Sequence, residues 1–397
     1  MPSTLLERLR ALPAAEPVLA ALGGDPRVWV VGGAVRDLLL DRSPSELDLV
    51  VEGDAAEVAR RAAGRLGGEA VVHERFGTAT VRFEDDWFDL AGARRESYPQ
   101  PGTLPMVKLG ATLEQDLDRR DFTVNTLALR LADGELRSAP GAFEDLDARV
   151  LRVLHDASFR DDPTRLLRLA RYAGRLGFEV EPHTAALARL AASVGALGTV
   201  SGERLGAELR LLAGEPQPAA LEALDAHGIG RALLPGWRFD RALAARAVAL
   251  CPVDARCGLV ALGTALRDAY AEELGPRLRA LGLPASEAEA LVGCAELDRL
   301  LAALRGARPS QADELLRHRP LEAAVVAAAV GSEAARDWLE RARHLRAEIG
   351  GHDLLAAGLT GPAIGRGLLA ARAALLDGEA PDRESQLAAA LTAARTG

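Results

Sequence analysis

The sequence is poor in aromatic residues, and it contains no long apolar run. Aromatic side chains make up 4% of the 397 residues, whereas 49% of the chain is apolar. This composition favours helices rich in alanine and leucine over a β-sandwich. No apolar run reaches the roughly 18 residues that a membrane-spanning helix needs. The N-terminus also lacks the apolar core of a secretory signal, so we expect a cytoplasmic protein without a membrane segment.

Cysteine is scarce as well, and the metal and nucleotide motifs most easily recognised are absent. The three cysteines, Cys251, Cys257 and Cys294, form no CxxC pair. We predict that they are small core residues, as is usual for free cysteines of a cytoplasmic protein. Neither HExxH nor the P-loop pattern GxxxxGK[ST] occurs, so zinc proteolysis and P-loop ATP hydrolysis have no support.

Positive charge comes almost entirely from arginine, because Lys108 is the only lysine. The formal net charge is −9. An acidic chain is unsuited to indiscriminate binding of nucleic acid, although a local groove of arginines remains compatible with this charge.

The order of the sequence patterns predicts an α+β protein. The chain is too long for one core, so we expect several domains. Residues 4–22 have the pattern of an amphipathic helix, and strands and helices then alternate to about residue 135. Asp54 is a good N-cap for a helix over 55–66. Gly92–Gly110 contains three prolines and is predicted to be a long, mobile surface loop. Beyond residue 140 the pattern is helical.

One stretch near the N-terminus, VWVVGGAVRDLLLDRSPSELDLVVEG, combines glycines, an arginine and carboxylates. Gly32 and Gly33 allow the backbone to approach a phosphate, and the N-terminus of a following helix favours an anion. Arg36 adds a bidentate phosphate donor. Glu46 and Asp48, two residues apart on a strand, point to the same face and can bind one or two Mg²⁺ ions.

Each half of this stretch also has a simpler interpretation. A tight strand-to-helix turn followed by solvated acids needs no ligand, and a lone GG or a lone ExD is weak evidence. The combination of the two leaves both interpretations open.

The same stretch resembles the active-site signature of class II tRNA nucleotidyltransferases and bacterial poly(A) polymerases. Other segments resemble further motifs of that family. These are RRDFTVNTLAL (Arg119–Leu129), the hinge motif EDLDAR (Glu144–Arg149), the base-selecting motif RDDPTRLLRLARYAGRLGF (Arg160–Phe178) and the tail segment GHDLLAAGLTGPAIGRGL (Gly351–Leu368). The likeness is dense over residues 27–215, whereas residues 220–340 match only in helical character.

The resemblance implies a small nucleotidyltransferase head with a palm like that of polymerase β, followed by a helical neck, body and tail. It places the catalytic, metal-binding head at 1–138 and the neck that recognises the nucleotide base at 139–215. The body follows at 216–345, and the tail that binds tRNA at 346–397. The expected partners are nucleoside triphosphates and the acceptor and TΨC arms of tRNA, with no membrane.

The resemblance also assigns roles to individual residues. Glu46 and Asp48 would hold Mg²⁺ in a two-metal site, although the family mostly carries aspartate where this chain has Glu46. Asp89 would be a third catalytic carboxylate. The residues that would bind the nucleotide, ATP or CTP, are Gly32, Gly33, Arg36, Arg120, Asp121, Asn125, Asp161, Asp162, Arg165, Arg168 and Arg171.

Within this set, Asp162 and Arg165 would recognise the base. Residues three apart lie on one helix face. A carboxylate accepts from an exocyclic amine and a guanidinium donates to ring nitrogens or carbonyls, so the pair can act as a protein template for C and A. Asp161 stands where the family commonly has glutamate. Arg168 and Arg171 would reach the phosphates.

The predicted activity is template-independent addition of C, A or both to the 3′ end of tRNA, with release of pyrophosphate. The segment Arg94–Lys108 occupies the place of the family's flexible loop and has full length, which favours enzymes that add CCA or A. A CC-adding specialist and a bacterial poly(A) polymerase are the alternatives within the family. The non-enzymatic alternative is a catalytically weak RNA-binding protein of the same fold. An enzyme that modifies antibiotics would share the carboxylates but not the other motifs.

Overall fold

The structure is a computed structural model that describes residues 2–44, 46–74 and 77–395. The chain divides into two units, Met1–Ser201 and Gly202–Gly397. Strands occur in the first unit, whereas the described part of the second unit contains helices and no strand. The prediction of a mixed α/β head followed by helical regions is confirmed. The unit boundary falls inside the predicted neck, and the four-part division remains a prediction.

The first unit is built around a seven-stranded mixed sheet. Its strand order is β3-β4-β5-β2-β1-β8-β9, and only β2 and β5 pair in parallel. The central strand β1 is buried along its whole length. The strands are β1 Val28–Val31, β2 Asp48–Val51, β3 Glu69–His73, β4 Thr78–Phe83, β5 Asp86–Gly92, β6 Arg94–Ser97, β7 Met106–Leu109, β8 Ala128–Arg130, β9 Leu136–Arg137, β10 Val150–Leu151 and β11 Glu179–Val180.

Helices surround this sheet and continue beyond it to the end of the unit. A short parallel pair, β10 with β11, lies among the later helices. The helices are α1 Pro2–Arg10, α2 Glu16–Leu22, α3 Gly33–Leu39, α4 Ala55–Leu66, α5 Leu113–Leu117, α6 Ala142–Asp147, α7 Ser158–Asp161, α8 Thr164–Leu176 and α9 Pro182–Ser193. Asp54 caps α4 as predicted, since its carboxylate accepts from the backbone N–H groups of Ala56 and Glu57.

Two local predictions for this unit are wrong. The helix predicted over 4–22 is interrupted by a 3₁₀ turn at Pro13–Ala15, because proline lacks the N–H that a helix interior needs. The segment Gly92–Gly110 is not simply a loop. Its strands β6 and β7 pair antiparallel, and only residues 98–105 connect them. The polar sequence of β6 lacks the apolar alternation by which a strand is recognised.

The main core of the second unit lies around α19 (Leu321–Val330), which contacts helices α13, α14, α16, α17 and α20. Residues Ala323–Ala329 of this helix are each at most 4% exposed, so α19 contacts neighbours all round. The helices are α10 Gly202–Ala213, α11 Ala219–Ala226, α12 Ile229–Leu233, α13 Arg241–Ala249, α14 Cys257–Ala265, α15 Ala271–Ala280, α16 Ala285–Cys294, α17 Leu297–Leu304, α18 Pro309–Leu316, α19 Leu321–Val330, α20 Glu333–Glu340, α21 Gly351–Ala356, α22 Pro362–Leu376 and α23 Arg383–Arg395.

The cysteines behave differently from one another. Cys294 is fully buried in the core of the second unit, as predicted. Cys251 and Cys257 are half-buried and form a disulfide, so the prediction that they are core residues is wrong for this pair. Their separation of six residues in sequence gave no recognisable motif. Within the described residues, none of the helices has the length and apolarity required to cross a bilayer.

A buried ion pair joins three helices of the second unit. The Asp313 carboxylate on α18, 2% exposed, accepts two hydrogen bonds of 2.7 Å from Arg372 on α22. The indole of Trp338 on α20 donates a third bond of 2.9 Å. Arg372 also donates to the backbone carbonyl of Leu345. This geometry satisfies both charges, so loss of one partner should be costly.

We expect Asp313→Asn to lower the free energy of unfolding by about 3–5 kcal/mol, because Arg372 would keep a partly buried charge without its counter-ion. Urea unfolding followed by tryptophan fluorescence measures this change. The matched control is Asp337→Asn. It breaks the exposed ion pair between Asp337 on α20 and Arg341, the residue that follows this helix. That pair should contribute less than about 0.5 kcal/mol. Equal losses in the two variants would contradict the prediction.

The cost of Asp313→Asn should depend on pH. Burial by itself raises the pKa of the Asp313 carboxyl, but the hydrogen bonds from Arg372 and Trp338 outweigh burial and hold this pKa below its ordinary value of 3.8. The ionised carboxylate therefore stabilises the fold above the ordinary pKa, and this contribution is lost as the pH falls through the lowered value. The difference between wild type and variant should shrink in acid.

Candidate active site

Two carboxylates lie side by side on neighbouring parallel strands. The register pairs Leu49 of β2 with Leu90 of β5, so the preceding residues, Asp48 and Asp89, are adjacent and share a face of the sheet. Both line a cavity of about 550 Å³ in the first unit. The Asp89 carboxylate also accepts a hydrogen bond of 2.5 Å from Thr80 on β4.

Glu46 is exposed, precedes β2 and is not among the residues that line the cavity. The register places Asp89 beside Asp48, and the role of Glu46 as a metal ligand remains a prediction. Among the described residues, no group of three or more histidine, cysteine or acidic side chains is placed to hold a metal ion. Two adjacent carboxylates suit an ion such as Mg²⁺, which takes its other ligands from water and substrate phosphates.

The glycine pair forms the turn between β1 and α3. Gly32 has φ +67° and ψ −124°, a conformation that favours glycine. A Cβ at Gly32 would lie 2.7 Å from an Nη atom of Arg120, so the guanidinium packs directly on this turn. Gly32, Gly33 and Arg120 all line the cavity. The close approach of backbone and guanidinium places a cation at the N-terminus of α3.

Arg36 does not lie on the cavity surface. Its side chain is 2% exposed and donates to the Asn125 amide oxygen and to the Asp37 carboxylate. The structure therefore differs from the expectation that Arg36 contacts the triphosphate directly. The guanidinium lies behind the cavity wall and fixes Asn125, which does line the cavity. The run GGAVRD gave no indication of this burial.

Asp121 joins two of the predicted motifs. One carboxylate oxygen accepts from the Phe122 backbone N–H and the Asn125 amide, and the other accepts from Arg168 at 2.8 Å. Burial alone raises the pKa of Asp121, but the charge of Arg168 and these hydrogen bonds lower it to about 2. Asp121 thus stays ionised and holds Arg168 and Asn125 at the cavity.

The predicted base-recognition pair lies at the start of α8. Asp162 precedes the helix, and its carboxylate accepts from the backbone N–H and hydroxyl of Thr164. Arg165 is 4% exposed and donates to the Ser158 hydroxyl at 2.7 Å and to the Arg119 carbonyl at 2.8 Å. Asp162 and Arg165 both line the cavity that contains Asp48 and Asp89.

Two further predicted site residues lie outside the cavity wall, as Glu46 and Arg36 do. The Asp161 carboxylate accepts from Arg160, and its backbone carbonyl accepts from the Gly102 N–H. Arg171 is 6% exposed and lies 4.8 Å from the centre of the Tyr172 ring. Neither residue is among those that line the cavity.

Tyr172 organises the arginines of this region, and the sequence analysis did not single it out. The guanidinium carbons of Arg36 and Arg168 lie 5.4 and 5.5 Å from its ring centre. Arg168 also donates to the Tyr172 hydroxyl, and the ring packs edge-on against Phe122. An aromatic residue among the regularly spaced arginines of α8 was the signal available in the sequence.

The hairpin formed by β6 and β7 contributes further cavity residues that the sequence analysis missed. The Glu96 carboxylate accepts from Arg94, Arg119 and the Tyr98 hydroxyl. The Arg165 guanidinium lies 6.0 Å from the centre of the Tyr98 ring. Burial, with help from the charge of Glu96, raises the pKa of Tyr98 to about 12, so this hydroxyl remains a donor. The segment predicted as a mobile loop is thus fixed against the arginine that would recognise the base.

Several known proteins are similar to this chain. The family model described as the poly(A) polymerase head domain matches residues 28–152. An A-adding tRNA nucleotidyltransferase of Geobacter sulfurreducens is 44% identical over 195 residues, 48% of this chain and 22% of that protein. A CC-adding tRNA nucleotidyltransferase of Deinococcus radiodurans is 42% identical over 254 residues, 63% of this chain and 66% of that protein. A CCA-adding enzyme of Bordetella pertussis is 36% identical over 261 residues, 64% of this chain and 69% of that protein.

The chain belongs to the tRNA nucleotidyltransferase family. The solved structure of a Thermotoga maritima CCA-adding enzyme complexed with tRNA is 28% identical to this family member, with a TM-score of 0.80 over 98% of both chains. This chain covers a smaller share of the first curated relatives. It spans 22% of the Geobacter protein and 66% of the Deinococcus protein, and these relatives differ in the nucleotide that they add.

In this family member, we expect Gly32→Ala to lower the free energy of unfolding by about 1–3 kcal/mol, because the backbone conformation is strained for alanine and the new Cβ displaces Arg120. Thermal unfolding measures the effect. The control is Gly64→Ala in α4, where a Cβ meets no atom within 4 Å. That change should raise stability by about 0.5–1 kcal/mol. A neutral result at Gly32 would contradict the proposed packing of Arg120 on the turn.

Proposed function

We propose that this chain is a template-independent nucleotidyltransferase that adds C, A or both from CTP and ATP to the 3′ end of tRNA and releases pyrophosphate. One observation carries the proposal. A single cavity is lined at one point by the adjacent carboxylates Asp48 and Asp89, and at another by the base-recognition pair Asp162 and Arg165. Chemistry on the triphosphate and selection of the base therefore take place in the same space.

Asp48 and Asp89 would hold Mg²⁺, which would neutralise triphosphate charge and stabilise the pyrophosphate that leaves. Glu46, two residues before Asp48 and exposed, is proposed as a further ligand of this ion. The donor set fits because hard oxygen ligands and room for substrate phosphates are what this ion requires.

The remaining steps follow from the side chains of the cavity. Arg120 and Arg168 present positive charge to the triphosphate, and Asp162 with Arg165 hold the base. The Asp48 and Asp89 carboxylates orient the 3′-hydroxyl of the tRNA and accept its proton. The hydroxyl oxygen bonds to the α-phosphorus, the bond from that phosphorus to the bridging oxygen breaks, and pyrophosphate leaves.

The helical second unit is proposed to hold the acceptor and TΨC arms, mostly through backbone contacts and RNA shape. The solved Thermotoga maritima relative, which is complexed with tRNA and matches 98% of this chain, supports this assignment. We propose that this protein works in the cytoplasm, because its proposed substrate is tRNA.

The presence of the complete hairpin over Arg94–Leu109 supports A as one of the nucleotides added. The CC-adding relative leaves a CC product as the alternative.

Incubation of the purified chain and Mg²⁺ with labelled CTP and ATP tests the function. The acceptors are tRNAs that end before CCA, after C and after CC. Addition of C and A to the bare end defines a CCA-adding enzyme, addition of A alone an A-adding enzyme, and CC alone a CC-adding enzyme. Long A tails on unrelated RNA would identify a poly(A) polymerase. Absence of all incorporation would overturn the proposal in favour of an RNA-binding protein.

We expect Asp48→Asn to reduce incorporation by at least about 100-fold, because the variant loses a charge at the reacting phosphate. Circular dichroism should show an unchanged fold. Asp86→Asn, at the exposed start of β5, is the matched control and should retain activity. Comparison with Glu46→Gln measures whether Glu46 contributes. Retention of wild-type rates in Asp48→Asn would contradict the assignment of this carboxylate.

We expect Arg165→Ala to relax the choice of nucleotide more than it weakens the binding of triphosphate. The guanidinium would contact the base, whereas Arg120 and Arg168 would contact the phosphates. The measurement is kcat/KM for incorporation of CTP, ATP, UTP and GTP. Unchanged ratios among the four nucleotides would reject the base-recognition role.

A further inference from the structure

Ser158 contacts both members of the proposed base-recognition pair. Its hydroxyl oxygen accepts a hydrogen bond of 2.7 Å from a terminal nitrogen of Arg165. Its backbone carbonyl accepts from the backbone N–H of Asp162 at 3.1 Å. One residue of α7 thus fixes the end of the arginine and the start of the segment that carries the aspartate.

The surroundings make the hydroxyl hard to replace. Ser158 is fully buried and lies beside the buried Phe159. Water therefore has no access from the Ser158 side to replace a lost acceptor. When a buried guanidinium loses an acceptor, one of its N–H donors stays shielded from water without a partner. This costs more free energy than an ordinary hydrogen bond contributes to stability.

Other contacts limit the remaining freedom of Arg165. The Arg119 carbonyl accepts from its second terminal nitrogen at 2.8 Å, and the Tyr98 ring lies 6.0 Å from the guanidinium carbon. The Ser158 hydroxyl and the Arg119 carbonyl bind different nitrogens, so together they set the plane of the guanidinium fork. Removal of the Ser158 acceptor leaves the bond to the Arg119 carbonyl, about which the fork can turn.

We propose that Ser158 is a specificity-determining positioning residue, which orients Arg165 toward the base so that C and A are distinguished from U and G. This inference rests on the proposed function, because it assumes that Arg165 contacts the base. Ser158 itself touches neither nucleotide nor RNA. Its effect should therefore appear in the choice among nucleotides and not in affinity for the triphosphate group.

The test is equilibrium binding of CTP, ATP, UTP and GTP to the full chain, wild type and Ser158→Ala, by titration calorimetry without tRNA. We expect the preference of the wild type for CTP and ATP over UTP and GTP to fall by about 10- to 100-fold in the variant, the range for a lost bond to a charged group. Affinity for inorganic tripolyphosphate should be unchanged. The backbone bond to Asp162 is retained in this variant, so the measurement isolates the hydroxyl.

Further variants separate positioning from a general loss of structure. Ser158→Thr keeps the acceptor and should restore the preference. Ser158→Cys keeps the size but offers a weak acceptor, and it serves in place of alanine if that variant does not fold. Ser193→Ala, at an exposed serine that ends α9, is the matched control and should behave as wild type. In the background of Arg165→Ala, loss of the Ser158 hydroxyl should have little further effect.

The outcomes distinguish this inference from the proposed function. A wild type that binds all four nucleotides alike would overturn both base recognition and the role of Ser158. A selective wild type with an equally selective Ser158→Ala variant would overturn the role of Ser158 alone. Loss of tripolyphosphate affinity together with selectivity would show that Ser158 supports the whole cavity, which also contradicts the inference.

Discussion

The ion pair between Asp121 and Arg168 is the interaction on which the rest of the site depends. It connects the segment after α5 with the middle of α8, and these segments are 47 residues apart in the chain. The same carboxylate fixes Asn125, which in turn accepts from the buried Arg36. Because its pKa is about 2, Asp121 keeps its charge at any ordinary pH. Asp121 therefore links α8, through Arg168, to α3, through Asn125 and Arg36.

The buried charges of this site are paired, as buried charges in proteins usually are. Isolated ions are expensive to bury, but each arginine here meets carboxylates, carbonyls or aromatic faces. Asp116, which is fully buried, accepts from both Arg119 and Arg120. An acidic chain, with a net charge of −9, can therefore contain a cavity lined by several arginines, because carboxylates in contact with these arginines balance their charge.

The sequence predicted the fold class and much of the cavity, and the reasons for its failures are specific. Asp48, Asp89, Asp162 and Arg165 were assigned by resemblance to a known family, and the structure brings all four to one cavity. The apolar pattern over residues 4–22 is continuous, so it does not show that Pro13 interrupts the first helix. The strand β6 was missed because its contacts are ionic, with Glu96 as their centre. Spacing alone does not tell whether an arginine such as Arg36 faces a ligand or supports another side chain. A single serine such as Ser158 belongs to no sequence motif that would indicate its role.

The hairpin of β6 and β7 has a consequence for how enzymes of this kind diversify. Within the described residues it forms a sheet of its own, and a hydrogen bond of 3.1 Å from the Ala111 N–H to the Ala93 carbonyl closes its base. Because the hairpin is a separate sheet, its backbone pairing is independent of the register that aligns Asp48 with Asp89. The hairpin nevertheless places Tyr98 beside Arg165. Substitutions in the hairpin can thus alter the surroundings of the proposed base-recognition arginine without acting on the pairing of the strands that carry Asp48 and Asp89.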